Sequence, residues 1–498
     1  MIDRTATARV QRLIRWLEPF QDCFGHRAQR LALRTYVHGL LSDSDRKSMQ
    51  AMLARVTDPI TYQGFQHFMT HAVWDADRIW RRLLERLPER RGVLIIDGTS
   101  FPKQGTHSVG VARQYCGALG KIANCQVATT AALWTGARAW VTGALLYLPQ
   151  AWLDDRDRRA VAQIPTGTTF QEKWRQALTL IRRARAAGLQ ITGVLADAEF
   201  GDVTTFRRAL HRWRLPYAVG VSRHLTVFRG TPAVHVPPSP RTGRPRSQWV
   251  LVDDTRPLAL SAVALTLPPR AWRRITWRNG ANRPWAARFA AMRVTPANEW
   301  RDRHLAPEVW LLCEQDLGAT PRTKYFFINL PATASVRQLV HLAHQRWAIE
   351  QQYQELKTEL GFDHFEGRSF PGWTHHVVIS AVAYAFLQRE RMRRETDPPL
   401  TFPGIRAIVQ EIFTALLLAQ QPNYFKRIQE LQQINLRIQQ SRTRKSLKNE
   451  GSCALSLSRM GASPPQNEDG RRPFLALDGS ETWPTCQAAR LMRPPRAT

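Results

Sequence analysis

The sequence predicts an α/β protein whose core is a mixed sheet, preceded by a helical segment and interrupted by a mostly β insertion. Three observations point there. Val93-Leu94-Ile95-Ile96 is an unbroken apolar run and residues 191–196 form a second strand-like run, as expected of strands buried on both faces. Before residue 90 the apolar positions recur at helical spacing. Between 225 and 331 only short β-like pieces occur, interrupted by a Pro/Arg-rich loop.

The helical segment comes first. Leu13, Trp16, Leu17 and Phe20 share a helical face, and residues 27–41 continue with Leu31, Leu33, Tyr36, Leu40 and Leu41. A third helix is expected over 62–87, with Ser42-Asp43 and Asp58-Pro59 as punctuation. Basic residues stud the polar faces, so residues 1–90 suit DNA contact, although a solvated helical surface has the same pattern. Strand 93–96 then ends in Asp97-Gly98-Thr99, and residues 101–116 read as a polar, basic loop long enough to reach a substrate. Residues 124–134 and 139–148 are strands joined at Thr135-Gly136, and 169–187 is a helix stopped by Gly188. Strand 191–196 ends in Asp197, and a basic helix (203–214) and a strand (216–221) follow. This succession of strands and helices is the ribonuclease-H-like arrangement, whose first strand and a later parallel strand carry adjacent acids.

The β pieces of the insertion centre on 249–252, 275–277, 287–294, 309–313 and 325–329, after a Pro/Arg loop at 235–246. Trp277, Arg278, Trp285 and Arg288 are placed there either to touch nucleic acid or to fill a small core. A helix runs from Ser335 through Gly361, another covers 376–395, and a last pair covers 404–420 and 424–440. After Ser441 periodicity is lost. The organisation expected is 1–90 helical, 91–224 first part of the catalytic core, 225–334 insertion, 335–395 second part, 396–440 C-terminal helices and 441–498 a disordered tail.

Charge narrows the partners. Lysine and arginine number 71 against 40 acidic residues, a formal +31, which calls for a polyanion such as DNA. The six cysteines have no CxxC pair and read as reduced thiols. The N-terminus has a polar, helix-like pattern rather than that of a signal peptide. No uncharged apolar run approaches the roughly 18 residues of a membrane helix, so a cytoplasmic, nucleoid-associated protein is expected.

Three carboxylates stand out. Asp97 and Asp197 each follow a buried strand, where open α/β sheets place their ligands; either one alone reads as a turn cap. Glu350 lies in the helical run 345–357, where Arg346, Glu350, Tyr353 and Lys357 fall at i, i+4, i+7 and i+11 on one face. In isolation that stripe is a surface ion ladder. Together with the two strand-end acids it makes a set that suits Mg²⁺ or Mn²⁺, and two such ions can cut a phosphodiester. Glu199, Asp202, Glu355 and Glu359 compete for these roles but lack the strand-end or between-cations placement. Arg346 and Lys357, and in the loop Lys103 and Arg113, are candidates for phosphate contact.

The residues Val93–Thr99, Phe101–Gly105, Ser108–Tyr115, Gly120–Gln126, Ala196–Gly201 and Arg346–Glu350 resemble the IS701 family of DDE transposases, relatives of the IS4 group, over about residues 20–390. The resemblance implies that Asp97, Asp197 and Glu350 are the metal ligands and that the β-rich segment interrupts the ribonuclease-H-like domain. It implies a transposase that cuts at terminal inverted repeats and joins the ends to target DNA, as a homodimer or larger assembly. The signature Tyr-x2-Arg-x3-Glu-x6-Lys of the wider group maps onto Arg346, Glu350 and Lys357, with Ala343 at the tyrosine position. Two alternatives stand beside it: an inactive transposase acting as a DNA-binding repressor, and a nuclease without strand transfer.

Overall fold

The computed structural model describes residues 4–420, apart from 57–59, 240–241, 245–246, 253–254, 280–283, 299–304, 319 and 394–400. The expected helix at 424–440 and the tail 441–498 lie outside the described residues. The chain opens with helices α1 (Arg4–Leu17), α2 (Arg27–Leu41), α3 (Met49–Leu53), α4 (Tyr62–Thr70) and α5 (Ala76–Glu85). The single helix expected over 62–87 is therefore two. Asp75 divides it by accepting a hydrogen bond from the Asp77 amide at 2.8 Å, which starts a fresh helix.

The sheet strands follow: β1 (Arg91–Pro102), β2 (Ala112–Cys116), β3 (Lys121–Trp134), β4 (Ala139–Leu146), β5 (Gln190–Ala196) and β6 (Tyr217–Val221). Helices α6 (Gln150–Asp154), α7 (Arg156–Val161), α8 (Lys173–Ala186), α9 (Ala198–Gly201) and α10 (Thr204–Arg212) lie between β4 and β6 in the chain. Across the sheet the order is β4, β3, β1, β5, β6, with β3 antiparallel to β1 and β4 and with β1, β5 and β6 parallel. That is the ribonuclease-H-like topology. The stretch expected as a loop over 101–116 instead prolongs β1 to Pro102 and supplies β2, an edge strand against β3.

The insertion contributes β7 (Thr226–Arg229), β8 (Val234–His235), β9 (Val250–Leu251), β10 (Leu258–Ala259), β11 (Arg273–Asn279), β12 (Pro284–Pro296), β13 (Val309–Gln315) and β14 (Thr323–Ile328), with α11 (Leu260–Leu265). Apart from the β8–β9 pair, these strands continue the central sheet: β14 pairs β6 antiparallel, and β13, β12, β7 and β10 follow outward. Four helices complete the described chain: α12 (Val336–His344), α13 (Trp347–Leu360), α14 (Phe370–Met392) and α15 (Phe402–Gln420). The one helix expected from Ser335 to Gly361 is broken at Gln345-Arg346, where the amides of Ala348 and Ile349 bond back only three residues. The break coincides with His344 turning inward to stack on Trp277 at 3.9 Å and to meet Glu314 at 3.3 Å.

Two cores sandwich the sheet. On β1, Leu94 and Ile96 join the larger core, whereas Val93 and Ile95 join the smaller one beneath α12 and α13. The larger core is organised on α14, which is buried nearly all round, as a helix with no polar face must be. The N-terminal helices close on it. Trp16 donates its indole N–H to the Val382 carbonyl at 3.1 Å, Tyr36 pairs with His376 at 2.8 Å, and Arg12 holds the buried Glu390 at 2.6 Å. Among the described residues no helix is long and apolar enough to cross a membrane.

The closest backbone approach near the sheet's carboxyl edge lies between α9 and β6, where a Cβ on Gly201 would meet the Gly220 carbonyl at 1.8 Å. Gly201→Ala is expected to lower the free energy of unfolding by about 2–4 kcal/mol, a forced backbone shift rather than a side-chain adjustment. A denaturant midpoint unchanged from wild type refutes the close packing.

Candidate active site

The site is assembled by strand register. Ile95 of β1 pairs with Leu195 of β5 in parallel, so two residues further along Asp97, still within β1, and Asp197, just past the end of β5, stand side by side. Strand β1 does not end at Asp97 as expected but runs on to Pro102 against β3. Side-chain alternation turns Asp97 to the face of Val93 and Ile95, under α13. Asp197 ends β5 and caps α9, its Oδ1 accepting from the Glu199 amide at 3.0 Å. Asp97 Oδ1 accepts from the Gly98 amide at 2.9 Å.

Arg346 stands at the head of α13 and links the acids. Its Nη1 is 3.0 Å from Asp97 Oδ2, an ion pair not aligned as a hydrogen bond, and its Nη2 donates to Glu350 Oε1 at 3.4 Å. Asp97 has a side chain only 11% exposed, whereas Glu350, one turn into the helix, is 64% exposed on the rim. Burial pushes the Asp97 carboxyl up to about 7; Arg346 opposes the rise, and the charges of Asp197 and Glu350 add to it. Burial raises Asp197 as well, again against Arg346 and with Glu199. Among the described residues no three His, Cys, Asp or Glu side chains stand close enough to hold an ion together. The guanidinium of Arg346 lies between the carboxylates of Asp97 and Glu350.

Asp197, Arg346 and Glu350 line a cleft of about 670 Å³, whose far wall comes from the insertion: Trp277, Arg278, Trp285 and Lys324 among others. Arg278 stacks over Trp347 at 3.6 Å, and Trp285 is exposed. The two possibilities left open for these tryptophans divide: Trp277 is packed on His344, and Trp285 faces solvent.

The predicted phosphate contacts are placed differently from one another. Lys357 Nζ donates to the Ser100 carbonyl at 3.1 Å, and Lys103 Nζ to that of Phe365. Burial pulls both ammoniums below their usual range. Arg113 is exposed on β2. The competing acids are engaged elsewhere. Glu355 accepts from Tyr384 at 2.7 Å, Glu359 pairs with Arg406 at 2.6 Å, Asp202 accepts from the Ser222 amide at 2.8 Å, and Glu199 pairs with Lys173. One residue of the site was present in the helical stripe but not singled out: Tyr353, half-buried, bonds its hydroxyl to Thr130 Oγ1, and Thr130 is the β3 partner of Asp97. Its spacing of seven from Arg346 was the available signal.

Residues 19–284, more than half of the chain, match the family model described as DDE superfamily endonuclease, a span that holds Asp97 and Asp197 but ends before Glu350. The probable transposase for insertion sequence element IS701 of Microchaete diplosiphon is 31% identical over 192 residues, 37% of this chain and 47% of that protein. The matched part thus spans about half the length of that relative. The cryo-EM structure of the piggyBac transposase synaptic complex with hairpin DNA aligns with 80% of this chain and 73% of that one, at a TM-score of 0.40 and 8% identity. With the family model matched across both aspartates, the chain belongs to the DDE superfamily of endonucleases.

Proposed function

We propose that the chain is the DNA transposase of an insertion sequence. It hydrolyses phosphodiesters at the element's inverted repeats and joins the freed 3′-hydroxyls to target DNA, using Asp97, Asp197 and Glu350 with divalent metal. The observation that carries this reading is a pair of partly desolvated carboxylates on adjacent parallel strands, Asp97 beneath Arg346 and Asp197 in the cleft that Arg346 and Glu350 share. Like-charged carboxylates held together out of water need a cation. The donors are all carboxylate oxygens, which fits Mg²⁺ or Mn²⁺. When bound, two such ions supply activation of the attacking oxygen and charge neutralisation of the leaving one.

The chain's own residues do the positioning. Asp97 within β1 and Asp197 just past β5 keep fixed places, while Glu350 at the rim supplies the third carboxylate. Arg346 has a fork suited to phosphate and is the cation beside Asp97 in the protein itself. Trp285 and Arg278 on the insertion's wall offer an aromatic face and a cation to the DNA entering the cleft. Two element ends call for two such sites, hence a dimer or larger assembly on DNA.

The test is purified protein with terminal-repeat DNA and Mg²⁺ or Mn²⁺. Asp97→Asn, Asp197→Asn and Glu350→Gln are each expected to slow metal-dependent cleavage by about 10³-fold or more, the scale of lost metal catalysis. Asp202→Asn, whose partner is a turn amide, is expected to keep cleavage within about tenfold. Cleavage that survives Asp97→Asn or Glu350→Gln refutes the site. Binding without cleavage under any divalent ion identifies a repressor, and cleavage without joining a plain nuclease.

The raised pKa of Asp97 gives a second prediction, for metal-free protein. Its folded value of about 7 lies above the ordinary aspartate value, so the fold favours the protonated acid, and the stability this contributes is lost as pH rises toward and through 7. Asp97→Asn, which mimics the protonated form, is expected to exceed wild type in stability by about 1–2 kcal/mol at pH 8. The advantage should vanish near pH 4. Equal melting temperatures at pH 8 contradict the desolvation of Asp97.

A further inference from the structure

The outer end of the β2–β3 hairpin, beyond the part of β3 that pairs with Asp97, has an exposed face that the carboxylate site does not use, and it holds two of the sequence runs that carry the resemblance. Its register sets Tyr115 opposite Ile122 and Arg113 opposite Asn124, so Arg113, Tyr115 and Ile122 share one face. Tyr115 is 66% exposed, Ile122 61% and Leu119, in the turn, 49%. Arg113 is exposed on the same face, and Lys121, which pairs with Cys116 next to the turn, is exposed at the hairpin's other face. A cross-strand aromatic–aliphatic pair left in water, with a third apolar side chain at the turn, marks a surface that a partner covers.

The hairpin is fastened in place. The Ala118 amide donates to Ser100 Oγ at 2.9 Å, Gln114 Nε2 donates to the Cys125 carbonyl at 3.0 Å, and Asn124 Nδ2 donates to the Lys103 carbonyl at 2.9 Å. Its opposite face is closed by buried Cys116 and Cys125. Ser100 belongs to β1, three residues beyond Asp97, which is about 10 Å along a strand. The exposed apolar face is therefore anchored on the strand that carries Asp97.

We propose that this hairpin is a DNA wedge: Tyr115, Ile122 and Leu119 insert between base pairs while Arg113 and Lys121 hold the flanking phosphates, unstacking the duplex beside the bond to be cut, a role that rests on the chain acting on DNA. Apolar side chains flanked by cations are what proteins that kink and unstack DNA insert into it. Charge selects this occupant over a second copy of the chain. A second copy with the same formal +31 sets cation against cation around Arg113 and Lys121, whereas DNA neutralises both.

The test compares wild type with the double variant Tyr115→Ser/Ile122→Ser, using permanganate reactivity of thymines at the outer end of a terminal-repeat duplex. Cleavage is followed on that duplex and on one pre-opened by mismatches. Wild type is expected to raise the reactivity. The double variant, with an unchanged melting temperature, is expected to abolish the rise and to cut paired DNA about tenfold or more slowly, the scale of a lost stacking contact. On pre-opened DNA it is expected to cut at the wild-type rate. Unchanged reactivity, an equal loss on both substrates, or a change confined to the sedimentation of the free protein overturns the wedge. A wild type that neither binds nor cuts the repeat DNA overturns the transposase reading along with it.

Discussion

Parallel pairing of β1 and β5 places two carboxylates side by side, Asp97 within β1 and Asp197 just past β5, and the packing of α13 beside them limits their access to water. Each acid is held in place: Asp97 sits within β1 and accepts from the next amide of that strand, and Asp197 follows β5 and accepts from the first turn of α9. Burial then raises both pKa values, and Arg346 is the internal cation that opposes the rise. A site in this condition is electrostatically strained toward cations, which is the property that metal-dependent phosphoryl chemistry requires.

That strain persists because the surroundings are over-determined. Tyr353 ties α13 to Thr130 on β3, opposite Asp97, and Lys357 ties the same helix to the Ser100 carbonyl of β1. On the other side of the sheet, α14 is packed on β4 and carries the N-terminal helices through Trp16, Tyr36 and Arg12. The helices before residue 90 therefore close their apolar faces on an element joined to them by contacts 340 to 378 residues apart in the chain, which ties the two ends of the described chain into one core. A lysine whose ammonium donates to a carbonyl inside this framework fixes the helix.

The insertion is joined to the core as further strands of its sheet. β14 pairs with β6, which is the neighbour of β5, so the segment's wall stands next to Asp197. The same continuity explains why the helix expected from 335 to 361 breaks. His344 is drawn to Trp277 and Glu314 of the insertion, and the resulting tight turn leaves Arg346 at the head of α13, between the acids.

Much of this was legible in the residues. Period and apolar runs gave the strands at 93–96 and 191–196, the acids that follow those runs gave Asp97 and Asp197 (though β1 runs on past Asp97 to Pro102), and helical spacing gave the stripe of Arg346, Glu350, Tyr353 and Lys357, because these are local properties of the chain. β2 was hidden because an edge strand with one solvated face has no continuous apolar run, and its cross-strand pair Tyr115–Ile122 exists only once β3 is beside it. The helix break was hidden because no Pro or Gly marks it and its cause is a tertiary contact. The sequence by itself determined which groups were available: three carboxylates, a flanking arginine and a strongly basic field. Only the tertiary structure decided their states, with Asp97 buried and raised, Glu350 open to solvent, Arg346 bridging them and Lys357 bound to the backbone, because desolvation and pairing depend on what packs against a side chain from elsewhere in the chain.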